Sequence, residues 1–186
     1  MQSGVAMEGK RKIHSRGKTL LATLGSLLLG FSVGLGGKLL YEAKSFQPYS
    51  WDNNPPIVIN CYGDDFSELQ MIRAIDYWVT RGYTIGFYEH NPPPSVCTQK
   101  DLMGFIILRK GSHSKMGEST LASTRRKTFG LVITSAEIVY RPGSFNLDLI
   151  NEHELGHAFG FGHVEEVGHI MHPLYYKMGR GFWEPK

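Results

Sequence analysis

The run His153-Glu154-Leu155-Gly156-His157-Ala158-Phe159-Gly160-Phe161-Gly162-His163 constrains this chain more than any other stretch. His153 and His157 stand four residues apart, so on a helix both imidazoles leave the same face and reach one metal ion. Glu154 then lies beside that ion. Gly160 is placed to end the helix in the left-handed conformation that residues with a Cβ avoid. The chain reversal that follows can bring in His163 as a third ligand. Three neutral imidazoles with an open fourth position are the donor set of a catalytic zinc site; a structural site is closed. A surface helix that merely happened to be rich in histidine would leave the glycine and the third histidine unexplained.

His-Glu-x-x-His alone is a moderately specific signal. The added Gly-x-x-His, followed by Ile170-Met171-His172-Pro173, is far more specific. These residues resemble the metzincin superfamily of zinc endopeptidases, closely over the last third of the chain and more loosely from about Pro55 onward. The resemblance implies one Zn2+ held by His153, His157 and His163, with Glu154 as the catalytic general base and acid. It makes Met171 the methionine of the Met-turn, which underlies the zinc without binding it. His172-Pro173 looks most like the matrixin version of that turn, with histidine in place of the aromatic residue before proline. Astacins and serralysins carry a zinc-approaching tyrosine where this chain has Pro173, so Tyr175 and Tyr176 are not assigned as ligands. Leu174 to Tyr176 can instead wall a substrate pocket. His169 is expected to be solvated or to lie behind the ligands.

The fold class implied is α/β: a metzincin-like domain with a twisted, mostly parallel sheet, an antiparallel edge strand, a backing helix and an active-site helix. The residues read the same way. Ile57 to Tyr62 is short and β-branched, a first strand. Asp65-Phe66-Ser67-Glu68 has the spacing of a helix N-terminus. Leu69, Ile72, Ile75 and Val79 then recur at helical spacing, with Met71 and Trp78 widening the stripe, and Gly82 is a suitable stop. Tyr83 to Tyr88 is expected as a second strand and Gly104 to Leu108 as a third, internal one. Leu121 to Thr128 is the candidate edge strand and Leu131 to Tyr140 its neighbour. The resemblance implies that Leu121, Ala122 and Ser123 line the substrate cleft, where an extended peptide pairs by its backbone. Arg125, Arg126 and Lys127 either favour acidic substrates or blunt the strand edge. The active-site helix is expected to start near Ser144 or Asn146, anchored by Leu147, Ile150, Leu155 and Ala158. His113, in a flexible Gly- and Ser-containing loop, is read as solvated.

At 186 residues there is room for one domain and an appendage. Residues 1–18 form a basic tail containing Lys10, Arg11, Lys12, Arg16 and Lys18. Thr19 to Gly37 carries no charge, and the apolar run resumes through Tyr41 after Lys38, long enough for a transmembrane helix at 19–41. The excess of Lys and Arg before the span puts the N-terminus in the cytoplasm and the remainder on the outer side of the membrane. An uncleaved signal anchor is the reading, with secretion after signal cleavage as its rival. Ser26, Gly30 and Gly34 share one stripe of that span and permit weak self-association. A linker at 42–56 precedes a catalytic domain at 57–186. The net charge of +3 lies largely in the tail and does not imply a nucleic-acid partner. Cys61 and Cys97 can bridge in an oxidising compartment or stay reduced; the sequence leaves both open.

The function expected is therefore a membrane-anchored zinc metalloendopeptidase acting on protein or peptide substrates. A zinc-binding interaction module without catalysis and a zinc peptidase acting on peptidoglycan peptides are the alternatives.

Overall fold

The computed structural model describes residues 49–51, 54–112, 116–117 and 119–183. Six strands make one sheet: β1 Ser50–Trp51, β2 Ile57–Cys61, β3 Tyr88–Glu89, β4 Phe105–Lys110, β5 Ala122–Phe129 and β6 Val132–Tyr140. Their order is β1-β6-β4-β2-β3, all parallel, with β5 added antiparallel to β6. The register runs from Ala122 opposite Tyr140 to Phe129 opposite Val132. The expected mixed sheet with an antiparallel edge strand is what the chain forms.

Helix α1 spans Glu68–Val79, with the Ser67 hydroxyl accepting a hydrogen bond from the Gln70 amide at 3.4 Å. A single turn, α2, follows at Pro94–Cys97, and α3, Ile150–Ala158, carries the histidine motif. Helix α1 buries Met71, Ala74, Tyr77 and Trp78. The side expected to be buried is only partly so: Leu69, Ile72 and Val79 are exposed. Met71, Ala74, Ile75 and Trp78 also have helical spacing, and the wide indole dictates which of two overlapping stripes turns inward. Trp78 is fully buried, packs on Tyr83, Phe159, Phe161 and Phe182, and donates its Nε1–H to the Glu152 carbonyl at 2.8 Å. This one side chain ties the backing helix to the active-site helix.

Three further expectations change. The strand expected over 83–88 is only Tyr88–Glu89, because its parallel neighbour β2 begins at Ile57 after Pro55 and Pro56. Proline has no N–H for the ladder, so before Ile57 the pairing is reduced to the Pro56 carbonyl accepting the Gly86 N–H at 2.9 Å. The active-site helix begins at Ile150, not near Ser144 or Asn146. Residues 144–146 make a separate 3-10 turn, and Leu149 takes a left-handed φ of 67° before the helix starts. Leu147 consequently points partly to solvent, while Ile150, Leu155 and Ala158 anchor α3 as expected. Finally, Ser50–Trp51 falls within the expected linker yet joins the sheet along Val132 and Ile133, and the Trp51 indole bonds the Ala158 carbonyl at 3.0 Å.

Cys61 and Cys97 are joined in a disulfide with 5.4 Å between their Cα atoms, closing the α1 and β3 segment across 36 residues. On loop length alone such a bridge contributes about 4 kcal/mol through the unfolded chain. Among the described residues no helix is long and apolar enough to cross a membrane. The expected tail, the span at 19–41 with Ser26, Gly30 and Gly34, most of the linker, and His113 lie outside the described residues.

Candidate metal centre

The floor of the site is set by a missing side chain. A Cβ on Gly156 would stand 2.3 Å from the Met171 sulfur and 2.7 Å from the Trp78 ring. Glycine at the middle of the helix therefore lets the Met-turn and the indole close up beneath it, at the ordinary helical cost of about 1 kcal/mol. Met171 is fully buried there, against Gly156 of the histidine helix.

The helix is ended by the expected glycine. Gly160 has φ +107°, its N–H bonds the His157 carbonyl, and the Phe161 N–H reaches back to Gly156 at 3.1 Å. Those two bonds are a complete Schellman termination. The chain reverses, and His163 arrives opposite the helix. One ligand atom from each of His153, His157 and His163 lies within 4.8 Å of the others, with Nε2 of His157 and His163 at 3.1 Å. Two ligands on a tetrahedral ion with bonds of about 2.0–2.1 Å stand roughly 3.3 Å apart, so the spacing fits zinc.

The protonation pattern fits as well. Nδ1 of His153 is 2.8 Å from the Ile170 carbonyl, and Nδ1 of His157 is 2.9 Å from the Phe161 carbonyl. A carbonyl only accepts, so each Nδ1 carries the proton and each Nε2 turns a lone pair inward. Burial lowers all three histidines: His153 to about 4, His157 well below its ordinary value, and His163 downward too. Imidazoles held neutral are ready as ligands. His153 is buried, His157 partly so and His163 exposed, so the site opens to solvent on one side.

Glu154 lies next to His153 with its carboxylate almost fully buried, and desolvation pushes its pKa up to about 7. The Thr124 hydroxyl donates to Glu154 Oε2 at 2.6 Å, a bond to the ionised form that lowers the pKa in opposition. Thr124 is on the edge strand β5, and it went unnoticed in the sequence. Arg126, read from the sequence only as an edge-strand cation, donates to the His157 carbonyl at 2.5 Å and closes the C-terminal end of α3. The signal was available: Ala122, Thr124 and Arg126 are the half-buried alternate positions of β5, and Ser123 and Arg125 face out. Period-2 alternation puts the three on one face.

The edge-strand cations are all engaged. Arg125 pairs with Glu137, which also holds Arg109, and Lys127 pairs with Asp101. Glu137 is shared between two arginines, and the hydrogen-bond partners of Arg126 are neutral carbonyls. Of the expected cleft residues, Leu121 uses its carbonyl on the Arg141 amide and the Ser144 hydroxyl, Ala122 faces inward, and Ser123 faces solvent. Strand β5 pairs with β6 alone, so among the described residues no other strand covers its outer edge.

Of the two expectations for His169, the structure removes the solvated one: the ring is fully buried, and its Nδ1 accepts the Met171 N–H at 2.9 Å. Its Nε2 lies 3.1 Å from the Trp183 carbonyl, to which it donates. The imidazole thus joins the Met-turn to the last described residues.

The geometry agrees with an independent comparison. The matrixin family model matches residues 65–183, from the start of the backing helix to the segment beyond the Met-turn. No curated protein matches the chain. With its histidine trio, buried methionine and mixed sheet, the chain belongs to the matrixin family of zinc-dependent metallopeptidases.

Proposed function

We propose that this protein is a zinc endopeptidase in which Glu154 is the general base and acid. The supporting observation is the placement of the Glu154 carboxylate: buried, adjacent to the metal ligands, and held through one oxygen by Thr124. A site that only held a metal would have no use for a carboxylate with a pKa near neutrality in that position. Zinc bound by His153, His157 and His163 supplies a Lewis acid that acidifies water and polarises a carbonyl. The second Glu154 oxygen takes the proton of the attacking water and returns it to the departing amide nitrogen. Thr124 keeps the carboxylate from rotating away during both transfers. The open outer edge of β5 aligns an extended substrate by backbone pairing, giving affinity without demand for one sequence.

The 19–41 stretch, uncharged from Thr19 to Gly37 and apolar again after Lys38, supports a signal anchor with the basic tail in the cytoplasm and the peptidase on the outer side. The Cys61–Cys97 disulfide supports the same placement, since such bonds persist in oxidising compartments.

The test is zinc content and chelator-sensitive cleavage of an unfolded protein, measured for the wild type and Glu154→Gln. The variant should keep stoichiometric zinc while cleavage falls about 10²- to 10⁴-fold. Full activity in Glu154→Gln would refute the assigned base. Stoichiometric zinc with no cleavage by the wild type would identify an interaction module instead.

A further inference from the structure

Large apolar side chains crowd one end of the sheet. Phe129 and Leu131 are 83% and 66% exposed on either side of Gly130, at the turn between β5 and β6. Met103, 74% exposed, precedes Gly104, whose N–H bonds the Thr134 carbonyl at 2.8 Å. That bond sets Met103 beside the start of β6, at the same end as the turn. Scattered exposed hydrophobes need no explanation, but three large ones at one extremity do.

This is also the end where the chain enters the domain. The Ser50 N–H bonds the Leu131 carbonyl at 3.1 Å, so the first strand joins the sheet against the apolar turn itself. Only seven residues, 42–48, separate Tyr49 from the end of the apolar 19–41 stretch. Fully extended, they reach about 25 Å. The Trp51 bond to the Ala158 carbonyl shows that α3 also ends here, with Glu154 one turn further from the rim.

We propose that Phe129, Leu131 and Met103 form a rim that seats in the interfacial layer of a lipid bilayer and sets the height of the metal centre above it. Thr124, which touches Glu154, lies five residues along β5 from Phe129. At the rise of an extended strand that is roughly 16 Å. The substrates are then chain segments within about two nanometres of the membrane surface, a clause that rests on the peptidase and anchor readings above. A second copy of the chain is a poorer occupant, because a stable pairing buries about 800 Å² per partner, and three side chains around one turn are a small fraction of that. Lipid asks for no such area: each large apolar side chain that enters it gains on its own.

The experiment uses the full chain in vesicles of phosphatidylcholine and phosphatidylglycerol. The environment-sensitive fluorophore NBD is attached through Phe129→Cys or Leu131→Cys, with Leu69→Cys as the control. Leu69 is 58% exposed on the first turn of α1, which follows the opposite end of β2. Both native cysteines are in the disulfide, so the added thiol takes the label. Emission at 129 and 131 should shift to the blue and be lost on adding doxyl-labelled lipids, with neither change at 69. A label at 129 that reports water, for whatever reason, overturns the proposal. Shielding at 129 that follows protein concentration and not lipid overturns it in favour of a second copy. In parallel, the pair Phe129→Ser and Leu131→Ser should slow cleavage of a lipid-tethered peptide about tenfold and leave the same peptide in solution unaffected. Lipid quenching with no cleavage of either peptide would leave the rim standing and remove the peptidase reading.

Discussion

Two sets of histidines lie within a few residues of one another and do opposite work. His153, His157 and His163 converge with their Nε2 atoms inward, because Nδ1 of the first two faces backbone carbonyls. His169 and His172 are more deeply buried, yet each turns Nδ1 to accept a backbone N–H, from Met171 and Leu174 respectively. His169 also gives Nε2 to the Trp183 carbonyl, so it has no lone pair left for a metal. Burial and proximity do not make a histidine a ligand. What decides is which ring nitrogen the backbone has already claimed.

That contrast can be broken at its strongest point first. His157→Ala should abolish stoichiometric zinc, read by atomic absorption on the purified protein, and lower cleavage at least about a thousandfold. His169→Ala should do something different in kind. Zinc stays near stoichiometric, while denaturant unfolding loses about 2–4 kcal/mol, because the Met171 N–H and Trp183 carbonyl are left unpaired around a new cavity. A His169→Ala protein that unfolded normally but lost its zinc would erase the distinction between the two sets.

The smallest effect concerns the residue that holds Glu154, the proposed base. Thr124→Val should retain zinc and KM and lower kcat about tenfold, with Thr124→Ser restoring most of it. The pH profile carries the sign. Glu154 must be ionised to accept a proton, and its pKa without metal is raised to about 7 by burial. A cation favours the charged form, so the acid limb of kcat/KM should lie at or below pH 7. Thr124 stabilises the ionised carboxylate, so the valine variant should move that limb upward. An unmoved limb, with kcat restored in the serine variant, would mean that Thr124 acts by packing alone.

Much of this protein was open to sequence reading, for a local reason. The i, i+4 pair His153 and His157, the stop at Gly160, the return of His163 and the buried Met171 depend on helical period and on the backbone freedom of one glycine. Those are properties of one short stretch, residues 153–171. The edge strand and its neighbour were visible for the same reason, in period-2 alternation.

What the tertiary structure alone decided involves residues far apart in the chain. Two apolar stripes overlap on α1, and the packing of Trp78 against Phe161 and the Glu152 carbonyl selects the one that is buried. Helix α3 starts late because Leu149 takes a left-handed turn that no local pattern announces. Cys61 meets Cys97 only once β2 and α2 are placed side by side. Thr124 reaches Glu154 across 30 residues of chain, and Arg126 reaches His157 across 31. Sequence alone marked the three histidines that the fold brings together, since helical geometry fixes the spacing of His153 and His157 and the stop at Gly160 returns His163. Which groups hold the carboxylate, the Met-turn and the helix end in place was decided by long-range packing, which no single stretch of the chain encodes.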